Sequence, residues 1–199
     1  MVEDYYPLVK EIKKYAKENK VPIMQEEGIE FLCSYMIKNK VKTVLEVGTA
    51  IGFSAIMMAL SNKDVKIVTI EKDQERYLEA LKNVKKLDLE DRITLIYNDA
   101  LEVKFKEKFD LIFIDAAKSK NKELFQIFEK NLASNGSIIT DNLSLHGNVS
   151  KDPSEIQNRN LRQLVNKIKN YIDFLEDNIK YKTTFYDIGD GISISRRRL

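Results

Sequence analysis

The stretch Val44-Leu45-Glu46-Val47-Gly48-Thr49-Ala50-Ile51-Gly52-Phe53-Ser54 runs from an apolar, β-branched segment through an acid and two glycines four apart into a helical pattern. It reads as a strand, a tight turn with exposed backbone and a helix N-terminus. At such a turn a ligand can approach main-chain atoms that a Cβ would otherwise cover. The spacing is not the G-x-G-x-x-G of dinucleotide enzymes, and it lacks the Lys-Ser/Thr ending of a phosphate loop. Glu46, just before the glycines, would repel a pyrophosphate. It suits a cofactor carrying positive charge, and S-adenosylmethionine (SAM), with its sulfonium and ammonium groups, is one. The plainer reading is a glycine-bearing βα turn in an ordinary α/β domain.

Outward from that turn, strands and helices alternate. Upstream, helical spacing covers Tyr5–Asn19 and Glu26–Asn39, with Val21-Pro22-Ile23-Met24 between them. Downstream, strands are expected at 66–70, 93–97, 109–114 and 137–140, with helices at 52–60, 73–87, 121–132 and 156–175. Asp73 is a candidate N-cap. The end differs: 183–188, Gly189-Asp190-Gly191 and 192–195 read as a β-hairpin with a glycine turn. This pattern predicts an α/β fold, a Rossmann-like doubly wound sheet of seven mostly parallel strands with one antiparallel strand from the C-terminal hairpin. The expected organisation is one domain over 1–199, a helical cap at 1–40 and a Rossmann-like core at 41–199.

Composition agrees. The chain has 199 residues, 43% hydrophobic and 32% charged, as in a globular protein with a sizeable core. No apolar run approaches the ~20 residues of a membrane span. The acidic, aromatic start Met1-Val2-Glu3-Asp4-Tyr5 does not resemble a signal peptide, so the cytoplasm is the expected location. The single cysteine, Cys33, excludes an internal disulfide and any cysteine-based zinc site, and its apolar neighbours predict a packing role. A net charge of +2 says little, although Arg196-Arg197-Arg198, Lys118, Lys120, Lys122, Arg159 and Arg162 are compatible with a polyanionic acceptor.

In such sheets ligands bind beyond the carboxyl ends of the strands. Glu71 follows the glycines by about 20 residues, where an acid can accept both hydroxyls of an adenosine ribose. Asp99 can receive an adenine amino group, and for either acid helix capping is the alternative. Asp115, Asp141 and Asn142 fall at the ends of two neighbouring strands. Two carboxylates and an amide oxygen make a hard site suited to Mg²⁺; the bland reading of Asp141-Asn142 is a turn. A cation there can lower the pKa of an acceptor hydroxyl and point it at a methyl donor. Lys118 can assist the deprotonation, or simply be a surface lysine. His146 is the only histidine and stands in a loop expected to lie over the acceptor. No Gly-x-Ser-x-Gly or zinc spacing occurs, which argues against hydrolases.

These motifs resemble the cation-dependent, catechol-type branch of class I SAM O-methyltransferases. The resemblance spans nearly the whole chain, through Glu46–Ser54, Ile70-Glu71, Asp99-Ala100, Asp115-Ala-Ala-Lys118 and Thr140-Asp141-Asn142. Within that branch, Tyr15-Ala16, Val21-Pro22-Ile23-Met24, Phe113–Lys118 and the ending Gly189-Asp190-Gly191-Ile-Ser-Ile-Ser195 are most similar to bacterial tRNA 5-hydroxyuridine methyltransferases. The resemblance implies Mg²⁺ or another divalent cation on Asp115, Asp141 and Asn142. It implies SAM contacts from Ile23, Glu46, Gly48, Phe53, Ser54, Glu71, Asp99, Ala100 and Asp115, with Lys118 and Asp115 catalytic. It also implies a homodimer and a tRNA anticodon loop as substrate, with His146, Lys120, Arg159 and Arg162 as acceptor contacts. A small catechol or phenolic acceptor is the alternative, and a non-catalytic SAM- or RNA-binding module a third. Two departures from the pattern are a short segment before Val21-Pro22, as if one helix were missing, and His146 where relatives carry a basic residue.

Overall fold

The computed structural model describes residues 2–144, 147, 149, 152 and 156–198, with side chains from Pro7 onward. Two helices, α1 (Val2–Glu18) and α2 (Glu26–Lys38), precede β1 (Thr43–Val47) and α3 (Phe53–Ser61). There follow β2 (Lys66–Glu71), α4 (Gln74–Lys86), β3 (Ile93–Tyr97), β4 (Phe109–Ile114) and α5 (Asn121–Phe128). The chain ends with β5 (Leu132–Thr140), α6 (Arg159–Glu176), β6 (Tyr181–Tyr186) and β7 (Ile192–Arg197).

One seven-stranded sheet runs in the order β3-β2-β1-β4-β5-β7-β6. All neighbours are parallel except β7, which lies antiparallel between β5 and β6. This is the expected Rossmann-like sheet with one reversed strand. Strand order turns at β1, with β2 on one side and β4 on the other, so the crevice for a ligand opens beyond their carboxyl ends.

Pleating sends alternate side chains to opposite layers. Val44, Leu111 and Phe113 join the core under α1, α2, α3 and α4, while Leu45, Val47, Ile112 and Ile114 join the core under α5 and α6. Both faces are covered, which is why the central strands are almost continuously apolar. Each fully buried Val, Leu, Ile or Phe contributes roughly 1.5–3 kcal/mol. α4 starts at the expected cap, Asp73 Oδ1 accepting from Arg76 N at 3.0 Å. Cys33 is half-buried against the core, and burial pushes its thiol up.

Several boundaries differ from expectation. α5 stops at Phe128 and becomes a 3-10 turn over Glu129–Asn131. β5 begins at Leu132 rather than 137, with an irregularity in its register opposite Phe109 and Leu111. Gly136 permits this, because a Cβ there would sit 2.9 Å from the Asp110 carbonyl oxygen. α6 begins at Arg159, capped by Asn158 Oδ1 accepting from Leu161 N at 3.0 Å. Among the described residues, no helix is long and apolar enough to cross a membrane.

Candidate active site

The turn after β1 is shaped by its neighbours. Gly48 has φ +105°, and a Cβ there would lie 2.1 Å from the carbonyl oxygen of Asp115, so the backbones of the β1 and β4 ends approach as only glycine allows. Gly48 N and Thr49 N donate to Ile70 O at 3.0 and 3.1 Å. Ala50, at φ 47°, donates its N–H to Glu71 Oε2 at 2.8 Å. Glu71 Oε1 accepts from Lys72 N and Asp73 N, each at 2.9 Å. Three backbone donors therefore occupy most of a carboxylate's roughly four acceptor positions. By that count Oε2, with a single backbone partner, keeps free acceptor capacity. Glu71 thus ties the β1 turn to the β2 end and still lines the cavity.

Asp99, after β3, accepts from Leu101 N at 3.0 Å and lies 3.4 Å from Lys72 Nζ. The Leu101 bond first, and Lys72 second, hold its carboxyl below the usual carboxylate range. It serves as a turn cap and as a cavity wall together.

The reactive end lies beyond β4 and β5. Asp141 N donates to Ile114 O at 3.2 Å, and Thr140 is held below by Tyr171 of α6, Oγ1 to OH 2.8 Å. Asn142 takes a left-handed φ of 68°, which asparagine tolerates better than most residues. Its Nδ2 donates to Asp115 Oδ1 at 2.9 Å, its Oδ1 accepts from Lys118 Nζ at 2.9 Å, and its N–H donates to Asp141 Oδ1 at 2.7 Å. Burial pushes Asp115 up to about 6, opposed by Lys118. Burial, with the charge of Asp115 and a further push from Asp190, raises Asp141 to about 7.

These residues fit a divalent cation in donor type: two carboxylates and an amide, all hard oxygens, with carboxyls that repel one another in a desolvated site. The amide now presents nitrogen to Asp115 and oxygen to Lys118, so ligation through Oδ1 requires the side chain to turn over. Among the described residues, no group of three His, Cys, Asp or Glu side chains is placed to hold a metal; the third donor here is the amide.

A single cavity of about 700 Å³ gathers Ile23, Gly48, Phe53, Ser54, Glu71, Asp99, Ala100, Asp115, Lys118, Lys120, Asp141 and Asn142. Glu46 is a correction. Pleat parity turns it, like Val44, toward α3, where it is fully buried and absent from the cavity wall. Ser54 Oγ donates to its Oε1 and Thr69 Oγ1 to its Oε2, both at 2.5 Å. Burial raises its carboxyl to about 8, with the charges of Asp115 and Glu71 adding to the shift and the two hydroxyls opposing it. It sits behind the turn rather than facing a ligand.

Arg159 and Arg162 sit on the first turn of α6 and are not among the residues that line the cavity. Lys120 does, but its Nζ is bound to Glu123 Oε2 at 2.8 Å, which raises its pKa. Lys122 lies away from the cavity, its Nζ 5.1 Å over the Phe174 ring. His146 lies outside the described residues. The sequence reading missed Thr49, Ala50, Lys72, Arg76, Asn98 and Asp190 as wall residues. Thr49, Ala50, Lys72 and Asn98 adjoin residues already singled out, so their neighbourhood was the available signal; Arg76 and Asp190 had none.

A doubly wound sheet, a glycine turn at the β1 end that lines the cavity and an acid-amide cluster beyond β4 and β5 define a group-transfer enzyme of the class I methyltransferase type. Residues 2–198 match the O-methyltransferase family, and the chain belongs to it. It is 28% identical over 193 residues to a caffeoyl-CoA O-methyltransferase of Populus kitakamiensis, covering 93% of this chain and 82% of that one. It is 27% identical over 193 residues to a flavonoid 3',5'-methyltransferase of Vitis vinifera, covering 92% and 81%. A Staphylococcus aureus structure, provisionally described as a caffeoyl-CoA O-methyltransferase, superposes with TM-score 0.90 at 33% identity over 99% of this chain and 97% of that one. The SAH-bound Podospora anserina methyltransferase PaMTH1 shares the fold, with TM-score 0.86 at 21% identity over 96% and 88%.

Proposed function

We propose that this O-methyltransferase moves the methyl group of SAM onto an acceptor hydroxyl with the help of a divalent cation, and that the acceptor is 5-hydroxyuridine at the wobble position of tRNA, giving 5-methoxyuridine. One observation carries the chemistry: Asp115, Asp141 and Asn142 converge beside Lys118 in the cavity that also contains the glycine turn and Glu71. SAM supplies an electrophilic methyl on a sulfonium. A divalent cation held by Asp115, Asp141 and Asn142 would supply a Lewis acid that lowers the pKa of the acceptor hydroxyl. Glu71 and Asp99 orient the nucleoside half of the donor. The main chain of Gly48 lines the same cavity and can face the donor's amino-acid half. Lys118 stands where it can steady the developing oxyanion or take up its proton.

The tRNA acceptor is supported by the motif resemblance and by the chemistry of the base. Its 5-hydroxyl is enol-like and acidic, and a vicinal carbonyl completes a chelating pair. Lys72, Arg76, Lys118 and Lys120 on the cavity wall suit a polyanion, although Lys72 and Lys120 already face Asp99 and Glu123. The small-phenolic reading is favoured by the names of the Populus and Vitis relatives, since adjacent catechol oxygens make the same chelating pair. A homodimer and a cytoplasmic location belong to the same proposal.

The test is to offer the purified protein SAM and Mg²⁺ with 5-hydroxyuridine tRNA, and in parallel with caffeoyl-CoA and a catechol panel. Methoxyuridine formation, with binding that weakens as salt rises, supports the tRNA reading. Turnover confined to the phenolics replaces it with the second.

A further inference from the structure

The Gly189-Asp190-Gly191 turn between β6 and β7 is more than a hairpin closure. It lies against the segment that follows Asn142. Leu143 N donates to Gly191 O at 3.0 Å and Ser144 N to Asp190 O at 2.8 Å. Ser144 Oγ donates to Asp190 Oδ1 at 2.8 Å. Gly191 has φ +85°, and a Cβ there would come within 2.8 Å of Ser144 N, so the approach is closed to any other residue. Asp190 is buried, at 4% exposure, and lines the cavity. The two residues after a left-handed Asn142 are thus pinned by one side-chain bond and two main-chain bonds from a distant part of the chain.

We propose that Asp190 is a positioning residue. Through Ser144 it fixes the backbone that aims Asn142 at Asp115 and Asp141, and so sets divalent-cation affinity. The assignment rests on the cation reading above. Partners behind a ligand commonly matter in this way, and losing one costs about 10- to 100-fold in metal affinity. Asp190 also contributes negative charge near Asp141, so its bonding and its charge must be separated.

The experiment titrates Mn²⁺ into the full chain, followed by electron paramagnetic resonance. The variants are Asp190→Ala, Asp190→Asn, Ser144→Ala, the Asp190→Ala/Ser144→Ala double and Asp115→Asn. SAH affinity by calorimetry and a thermal melt accompany each. Asp190→Ala and Ser144→Ala are expected to weaken Mn²⁺ binding about 10-fold. The double variant should lose no more than either single, because both remove one hydrogen bond. Asp190→Asn, which keeps an acceptor oxygen and drops the charge, should stay near wild type, and SAH affinity should not move. Ser144→Ala is the milder truncation and decides the question if Asp190→Ala does not fold. Wild-type Mn²⁺ affinity in Ser144→Ala, or an equal fall in SAH affinity, overturns the assignment. Wild-type Mn²⁺ binding by Asp115→Asn instead overturns the cation reading, and the assignment with it.

Discussion

Glu46→Gln should make the protein more stable at neutral and alkaline pH, by an amount that depends on pH in a defined way. Glu46 is fully buried and its carboxyl is raised to about 8 in the fold, against about 4.3 for an unfolded glutamate. The folded state therefore holds the proton more tightly. Below about pH 4 both states are protonated and the residue imposes no penalty. Stability then falls as pH rises, by about 1.4 kcal/mol per unit, and levels off above about pH 8 with a total cost of about 5 kcal/mol. At pH 7 most of that cost is already present. Glutamine matches the shape: its Oε1 can accept from Ser54 while its Nε2 donates to Thr69 Oγ1, which lies 2.6 Å from Thr49 Oγ1 and can pass its own proton on. The variant removes the titration and keeps the packing. Asp115 and Asp141 are raised in the same direction, so the informative quantity is the difference between variant and wild type. Urea denaturation in chelator-treated buffer at pH 5, 6, 7, 8 and 9 measures it. The difference should grow steadily to pH 8 and then flatten. A difference constant across the series would show that Glu46 is ionised in the fold, and the argument from burial would be wrong.

Three further outcomes follow from the geometry. Asp141→Ala should lower turnover by at least 100-fold while leaving the thermal midpoint unchanged or higher, because it removes a cation donor and a buried carboxyl crowded by Asp115 and Asp190. Glu71→Ala should weaken SAM binding by about 10-fold or more, read by calorimetry, because the N–H groups of Ala50, Lys72 and Asp73 lose their shared acceptor. Gly48→Ala should destabilise the fold by about 3 kcal/mol or more in urea, since a Cβ 2.1 Å from the Asp115 carbonyl forces the β1 and β4 ends apart; a wild-type midpoint would mean the turn can relax.

The sheet and the reactive end were legible because both follow from local rules. Alternating strands and helices place the strand ends at one edge, and Glu71, Asp99, Asp115 and Asp141 were read by their positions there. Glu46 escaped because it lies one residue short of its strand end. Only the pleat, with Ser54 and Thr69 brought in from α3 and β2, shows which layer it enters. Ala133-Ser134-Asn135-Gly136 has the composition of a loop, yet close approach to Asp110 keeps it in β5. Asp190 was hidden by its setting. Between two glycines it has the signature of a tight turn, and its contact with Ser144 joins residues 46 apart in sequence.

The most direct test of the account follows labelled methyl from SAM into 5-hydroxyuridine tRNA, first with Mg²⁺, then with EDTA, then with Mg²⁺ restored. Label in the wobble nucleoside that disappears with EDTA and returns with the cation is the predicted result. Transfer undiminished by EDTA would contradict it, because Asp115, Asp141 and Asn142 would then be doing something other than holding a cation.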